Sequence, residues 1–140
     1  MRRVRGTTIV DGHEGKICLR DTAGQEAYDA INAASFTGVD CFLICFALRK
    51  GREASLANVT AKWHKKLKEG GHLNDGAKII LVGTQMDYDP QIPDIDAAAE
   101  RVKDEIGALL YMKTSAFMAR DDGGVPEVFD EAVRACMYTE

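Results

Sequence analysis

The chain has 140 residues, 46% of them hydrophobic and 29% charged, which fits one soluble globular domain. Its formal net charge of -4 argues against a general affinity for nucleic acid or an anionic membrane. The longest apolar run, Cys41 to Leu48, is too short to cross a bilayer, and the N-terminus lacks the apolar core of a signal peptide.

Arg2, Arg3 and Arg5 open the chain and read as a solvated strand end rather than a binding arm. Thr7–Val10 and Lys16–Arg20 read as two strands, with Asp11-Gly12 between them as a hairpin signal. Cys41–Ala47 is apolar on both faces, as a central parallel strand should be. Leu56, Val59, Trp63 and Leu67 recur at helical spacing and predict an amphipathic helix. Lys78–Gly83 is a second central strand. Ile95, Ala98, Val102 and Ile106 predict another helix, ended by Gly107. Leu109–Met112 is a weaker strand. The last helix is expected to start near Pro126, with Val128, Phe129, Ala132, Val133 and Cys136 as its core face. Cys18, Cys41, Cys45 and Cys136 sit among apolar neighbours without a CxxC pair. They read as reduced, buried small hydrophobes of a cytoplasmic protein.

Alternating strands and helices predict an α/β fold with a mostly parallel sheet. Ligands of such sheets bind beyond the C-terminal strand ends, so three loops carry the functional reading. Asp21-Thr22-Ala23-Gly24-Gln25-Glu26 follows the second strand. There a carboxylate can hold Mg²⁺ directly or through water, and a glycine lets a backbone N–H approach a phosphate. The adjacent glutamine can orient an attacking water. Gly83-Thr84-Gln85-Met86-Asp87 follows the fourth strand. A buried carboxylate at Asp87 can accept two N–H bonds from guanine, a pairing that adenine cannot offer. Thr114-Ser115-Ala116-Phe117 follows the last strand, and its small residues let backbone N–H groups reach the guanine O6.

DTAGQE, CFLICFAL, AKW, IILVGTQMD, TSA and VFDEAVRA occur in the order and spacing of the Rho family of small GTPases, which the chain resembles from about Thr7 to Met137. The resemblance implies a P-loop-NTPase-like domain: a mostly parallel sheet flanked by helices, binding GTP or GDP with Mg²⁺. By the same resemblance Asp21 assists Mg²⁺ through a water, in the family's manner, and Gly24 touches the γ-phosphate beside Ala23. Gln25 is the catalytic, water-positioning residue. Thr84, Gln85 and Asp87 hold the base, and Ser115, Ala116 and Phe117 close over it. Regulators or effectors of Rho type are expected to bind through Gln25 to Ser35.

The chain also departs from that family. No GxxxxGK[ST] segment occurs in it, and it opens where the family's second strand would stand. Residues 1–140 therefore read as a single partial domain lacking the first strand, the P-loop, the first helix and the first switch. The P-loop cradles the phosphates, so severely impaired GTP binding and hydrolysis are expected. The missing strand would lie mid-sheet, and its absence predicts unpaired strand edges, marginal stability and aggregation unless the sheet rearranges. Arg20 stands where the family usually has Trp, and Ala27 where it has an acidic residue. Tyr88–Ile95 is too short for the family's insert helix. Cys136 is fifth from the end, so no C-a-a-X prenyl anchor is expected. Two other readings keep the family label without the switch: a nucleotide-independent interaction module, and a non-functional fragment. A flavodoxin-like fold would also alternate strands and helices, but would not be expected to carry both loop motifs.

Overall fold

The computed structural model describes residues 2–21, 36–119 and 122–137. Among the described residues, five strands and three helical runs follow one another. Strand β1 (Arg2–Val10) turns through Asp11-Gly12 into β2 (His13–Asp21), and the two pair antiparallel over their full length. Asp11 and Gly12 both have positive φ, 52° and 80°. That is the turn whose twist matches two right-twisted strands. Both strands run beyond the segments expected from the sequence, β1 back to Arg2 and β2 from His13 to Asp21. Arg3 and Arg5 are solvated, as expected of a strand end.

Strand β3 (Cys41–Ala47) leads into a helical run over residues 53–69, here α1. It begins as Glu53–Asn58, is wound as a π-helix over Val59–His64, and ends as Lys65–Glu69. Leu56, Val59 and Leu67 of the predicted stripe are buried, and Trp63 packs partly buried beside them. Lys62 and Lys66 lie over the Trp63 ring, at 4.7 and 5.5 Å from its centroid. Strand β4 (Lys78–Thr84) follows, then α2 (Ile95–Ile106), β5 (Leu110–Lys113) and α3 (Val125–Met137). Gly107 ends α2 in the left-handed conformation, φ 71°.

Strands β3, β4 and β5 form one parallel sheet in that order. β4 is its centre, and Ile79 to Gly83 are buried without interruption. Its side chains alternate between two cores. Ile79 and Leu81 join Phe42, Ile44, Phe46 and residues of α1 and α2 in the larger one. Ile80 and Val82 meet only Val128 of α3 as a fully buried partner in the smaller one.

The β1–β2 hairpin is a separate two-stranded sheet. It is fastened to α3. Thr8 Oγ1 donates to Asp130 Oδ1 at 3.2 Å, and Arg134 forks onto Asp11 at 3.0 and 3.2 Å while also pairing with Glu131. Asp11 and Glu131 push the Arg134 pKa up. This pair is largely in water and contributes little to stability.

Between β2 and β3 lies a cavity of about 800 Å³, floored by α3. Among the described residues, no strand pairs with both β2 and β3. Two sequence expectations fail because of the cavity. The α3 stripe is not all core: Val128 is buried, but Phe129, Ala132 and Val133 are half-buried and Cys136 is exposed. These residues line the slot, and Ala132 also packs against the smaller core. The cysteines are not buried hydrophobes either. All four are free; Cys18, Cys45 and Cys136 are exposed and Cys41 is half-buried. Cys18, Cys41 and Cys136 border the slot, and Cys45 lies on the strand face that α3 covers only in part.

This lopsided packing has measurable consequences. Ile80→Val, in the fully buried centre of β4, is expected to cost about 1 kcal/mol in urea unfolding. Leu43→Ala removes more carbon, yet it should cost only about 1 to 1.5 kcal/mol, because Leu43 borders the slot rather than a closed core. A cost above about 3 kcal/mol for Leu43→Ala, the range of closed cores, would mean that the slot is filled in solution. Burial, with smaller contributions from Cys136 and Asp40, pushes the Cys41 thiol up to about 12. At pH 8 its alkylation by iodoacetamide should be slower than that of free cysteine by roughly two to three orders of magnitude, since the thiolate is the nucleophile.

Candidate functional site: the loops after β4 and β5

Parallel pairing of β4 with β5 carries the two C-terminal loops to the same edge of the sheet. Beyond the last ladder pair, Gly83 with Lys113, the pairing continues through the loops. The Thr114 N–H donates to the Gly83 carbonyl at 2.8 Å, and the Met86 N–H donates to the Thr114 carbonyl at 3.1 Å. Met86 is therefore fixed beside Thr114, and Asp87 follows it into the turn.

Each loop has its own brace. Thr84 Oγ1 donates to the Phe46 carbonyl at 3.1 Å, and the Leu48 N–H donates to the Thr84 carbonyl at 3.0 Å. Thr84 is thus half-buried and spent on tying β4 to β3. Gln85 is exposed and holds a left-handed backbone, φ 60°. Its carbonyl accepts from the Tyr88 N–H at 3.0 Å and from Gln91 Nε2 at 3.4 Å, while Gln91 Nε2 also reaches the Met86 carbonyl at 2.8 Å. Gln91 is held in turn by a bridge to Arg49, whose guanidinium lies 4.3 Å from the Tyr88 ring centroid.

Thr114 and Ser115 are buried polar residues, and both are satisfied. Thr114 Oγ1 donates to the Gly123 carbonyl at 2.7 Å, and the Ser115 N–H donates to the same oxygen at 3.1 Å. Ser115 Oγ accepts the Phe117 N–H at 3.1 Å. Of the three N–H groups in Ser115–Phe117, two are thereby consumed inside the fold. The Ala116 N–H has no partner among the described residues, and Ala116 is exposed.

Asp87 is exposed and not buried, contrary to the sequence expectation. The turn lifts it off the end of β4, where no element covers it among the described residues. Its carboxylate makes no hydrogen bond or ion pair among the described residues. Phe117 is 90% exposed, its ring standing out beside the same loop. The structure therefore brings Thr84, Gln85, Asp87, Ser115, Ala116 and Phe117 to one edge. Asp21 is elsewhere: it ends β2, in the other sheet, at the wall of the slot. Ala23, Gly24 and Gln25, and the whole Gln25–Ser35 segment, lie outside the described residues.

Sequence reasoning missed Gln91 and the Gly123-Gly124 pair, which position the loops without belonging to either motif. A paired glycine directly before a helix was a usable signal, because it allows close backbone approach. Nothing in the sequence marks Gln91.

The Ras-family model matches residues 2–138 of the chain. The chain belongs to the Ras family. Within it the likeness is to Rho. The chain is 38% identical to the GTP-binding protein Rho1 of Kluyveromyces lactis and 37% identical to the GTP-binding protein RHO1 of Eremothecium gossypii. Each match covers 91% of this chain and 64% of the relative, so the chain spans less than two thirds of either. The parallel β3-β4-β5 sheet flanked by helices is the fold expected of this family of GTPases.

Family members bind GTP or GDP with Mg²⁺, and the two halves of that requirement fit this chain unequally. A free, exposed carboxylate, one free backbone N–H and an exposed aromatic ring on one edge match the donors, acceptors and face of a guanine base. For the metal, the described residues offer one candidate side chain from the sequence reading, Asp21. Mg²⁺ takes six oxygens in near-octahedral geometry, usually one or two carboxylates completed by water and phosphate, and among the described residues no group of three His, Cys, Asp or Glu side chains occurs. Asp21 stands there as a single carboxylate. Among the described residues, no helix is long and apolar enough to cross a membrane.

Proposed function

We propose that this Ras-family chain recognises the base of a guanine nucleotide through the loops after β4 and β5, as the base-binding half of a Rho-type GTP/GDP switch. The observation that supports the reading is the hydrogen-bonded locking of the loops to each other. It leaves the Asp87 carboxylate and the Ala116 N–H as unspent partners on the same edge. Asp87 accepts from N1 and N2 of guanine, and the Ala116 N–H donates to O6. Phe117 and Gln85 bound the base, while Thr84 and Ser115 hold the loops in place. Adenine offers Asp87 no matching donors, so the carboxylate would be desolvated without a partner.

The same reading covers the rest of the site. Asp21 with Ala23 and Gly24 serves the phosphate side, Gln25 positions water, and Rho-type regulators or effectors engage Gln25 to Ser35. The chain acts in the cytoplasm as a single domain. Residues 1–140 contain no GxxxxGK[ST] segment, so this polypeptide by itself binds nucleotide weakly and hydrolyses GTP poorly. Catalysis in this class is positioning plus electrostatics, and those groups are the ones wanting.

Isothermal titration with GDP and with ADP tests the base reading. GDP is expected to bind and ADP not to bind measurably. Asp87→Ala should weaken GDP at least tenfold, the scale of about 1.5–3 kcal/mol for hydrogen bonds to a charged group. Equal binding of the two nucleotides would sink the assignment of Asp87.

A further inference from the structure

Pairing in the β1–β2 hairpin sorts its charges by face. Side chains alternate along a strand, and directly opposed residues of two strands share a face. One face looks at α3. Thr8 bonds Asp130, and a Cβ on its ladder partner Gly15 would stand 3.0 Å from Val133. The outer face is the opposite one. Its ladder rows are Arg3 with Arg20, Arg5 with Cys18, Thr7 with Lys16, and Ile9 with Glu14. Three successive rows each hold a cation and no acid. The fourth, next to the turn, holds an isoleucine that is 74% exposed.

Along the sequence Arg3 and Arg5 look like a solvated strand end; the register adds Lys16 and Arg20 from the other strand. Arg3 and Arg20 stand directly opposite each other, an arrangement of like charges that costs stability in the free hairpin. The chain as a whole has a net charge of -4, so this face reverses the sign of the molecule that carries it. Arg20 also donates to the Thr37 carbonyl. Arg3, Arg5 and Lys16 are exposed, and among the described residues their side chains make no hydrogen bond or ion pair.

The rows define the shape of a partner. Antiparallel strands rise ~3.4 Å per residue, so successive rows lie ~7 Å apart. Alternate side chains of another extended chain have that same spacing. An acid at every second residue meets one row each, and an apolar residue at the next alternate position meets Ile9. Nucleic acid finds no stacking platform, because no aromatic ring stands on these rows. A lipid surface would extend past the three cationic rows and meet Glu14.

We propose that the outer face of the hairpin docks an extended acidic segment of a partner protein, with the pattern acid-x-acid-x-acid-x-apolar. Charge complementarity supplies the attraction and the register, and Ile9 supplies an apolar anchor. The surface is separate from the loops after β4 and β5, so its failure would leave guanine recognition untouched.

The test titrates the isotopically labelled 140-residue chain with two end-blocked peptides and follows amide shifts by NMR. One is Glu-Thr-Glu-Thr-Glu-Thr-Leu and the other Glu-Glu-Glu-Thr-Thr-Thr-Leu. Their compositions are identical, so only the spacing of the acids differs. The alternating peptide should bind at least about fivefold more tightly, shift amides of Arg3 to Ile9 and Glu14 to Arg20, and weaken as salt is added. Arg5→Gln with Lys16→Gln should weaken it by about tenfold, while Lys65→Gln with Lys68→Gln, on α1, should leave it within about twofold. Arg3→Gln should weaken the peptide and yet raise the urea midpoint, because it removes the opposed pair; an arginine with only a structural role would lower it. The proposal is overturned if neither peptide binds, if both bind equally, or if the α1 variant loses as much as the hairpin variant. Tighter binding to phosphatidylserine–phosphatidylcholine vesicles than to the alternating peptide would also overturn it, and would assign the face to a lipid surface.

Discussion

Guanosine and GDP are expected to bind this chain with dissociation constants within about threefold of each other, both near 0.1–1 mM, and Mg²⁺ should leave both unchanged. The reason lies in which half of the site is assembled. The base-side edge offers one bidentate carboxylate, one backbone donor and one exposed ring, and together these support roughly 4–5.5 kcal/mol of binding, which corresponds to that range. The phosphate side has nothing comparable among the described residues. Asp21 is a carboxylate and repels phosphate unless a cation intervenes, and among the described residues no group of three His, Cys, Asp or Glu side chains stands by to hold one. In an intact P-loop the backbone N–H cradle and its lysine make phosphates the dominant contribution. Titrating guanosine, GMP and GDP in turn, with and without Mg²⁺, reads that contribution directly. A GDP affinity a hundredfold above that of guanosine would mean that some segment of these 140 residues cradles phosphates, and the claim of a base-only site would fall.

The parallel sheet was legible in the sequence because β3 and β4 are apolar over their whole length, and so long an unbroken apolar run belongs in the middle of a sheet covered on its faces. The Asp11-Gly12 turn was equally plain, since only a narrow set of residues tolerates positive φ at two successive positions. Reading α3 went wrong for a physical reason. Periodicity reports that a face is apolar, not that something covers it, and Phe129, Ala132, Val133 and Cys136 are apolar residues facing an opening. Asp87 failed in a similar way. The chemistry of guanine recognition suggested a buried carboxylate, but burial there would have to come from the ligand itself. The role of Gln91 was invisible because it acts through the backbone carbonyls of Gln85 and Met86, which no residue type marks in advance.

Gly124→Ala should be among the most damaging single-methyl additions to this chain, at about 3 kcal/mol, and should abolish guanosine binding at the same time. A Cβ on Gly124 would stand 2.7 Å from both the Met118 and the Ala119 carbonyl oxygens. Neither is the end of a flexible side chain, so no rotamer change relieves the overlap. The loop over residues 115–119 would have to move instead, and forced backbone shifts of this kind typically cost about 1–3 kcal/mol. Three bonds go with it: the Gly124 N–H to the Ala119 carbonyl at 3.0 Å, and the Thr114 and Ser115 bonds to Gly123. Ser115 and the Ala116 N–H ride on that loop, so stability and base recognition fail together. Gly107→Ala is the matched control. Gly107 has φ 71° but nothing within 4 Å of its Cβ position, so the new methyl incurs only backbone strain, about 1 kcal/mol. It lies at the end of α2, away from the two loops, and guanosine binding should survive. Urea unfolding midpoints of the two variants, measured with guanosine titrations, separate the cases. If Gly124→Ala is no worse than Gly107→Ala, the close packing of the β5 loop against the start of α3 does not hold in solution. If it unfolds the chain no further but still removes binding, the loop has adjusted locally, and the Ala116 N–H is what the base had been reading.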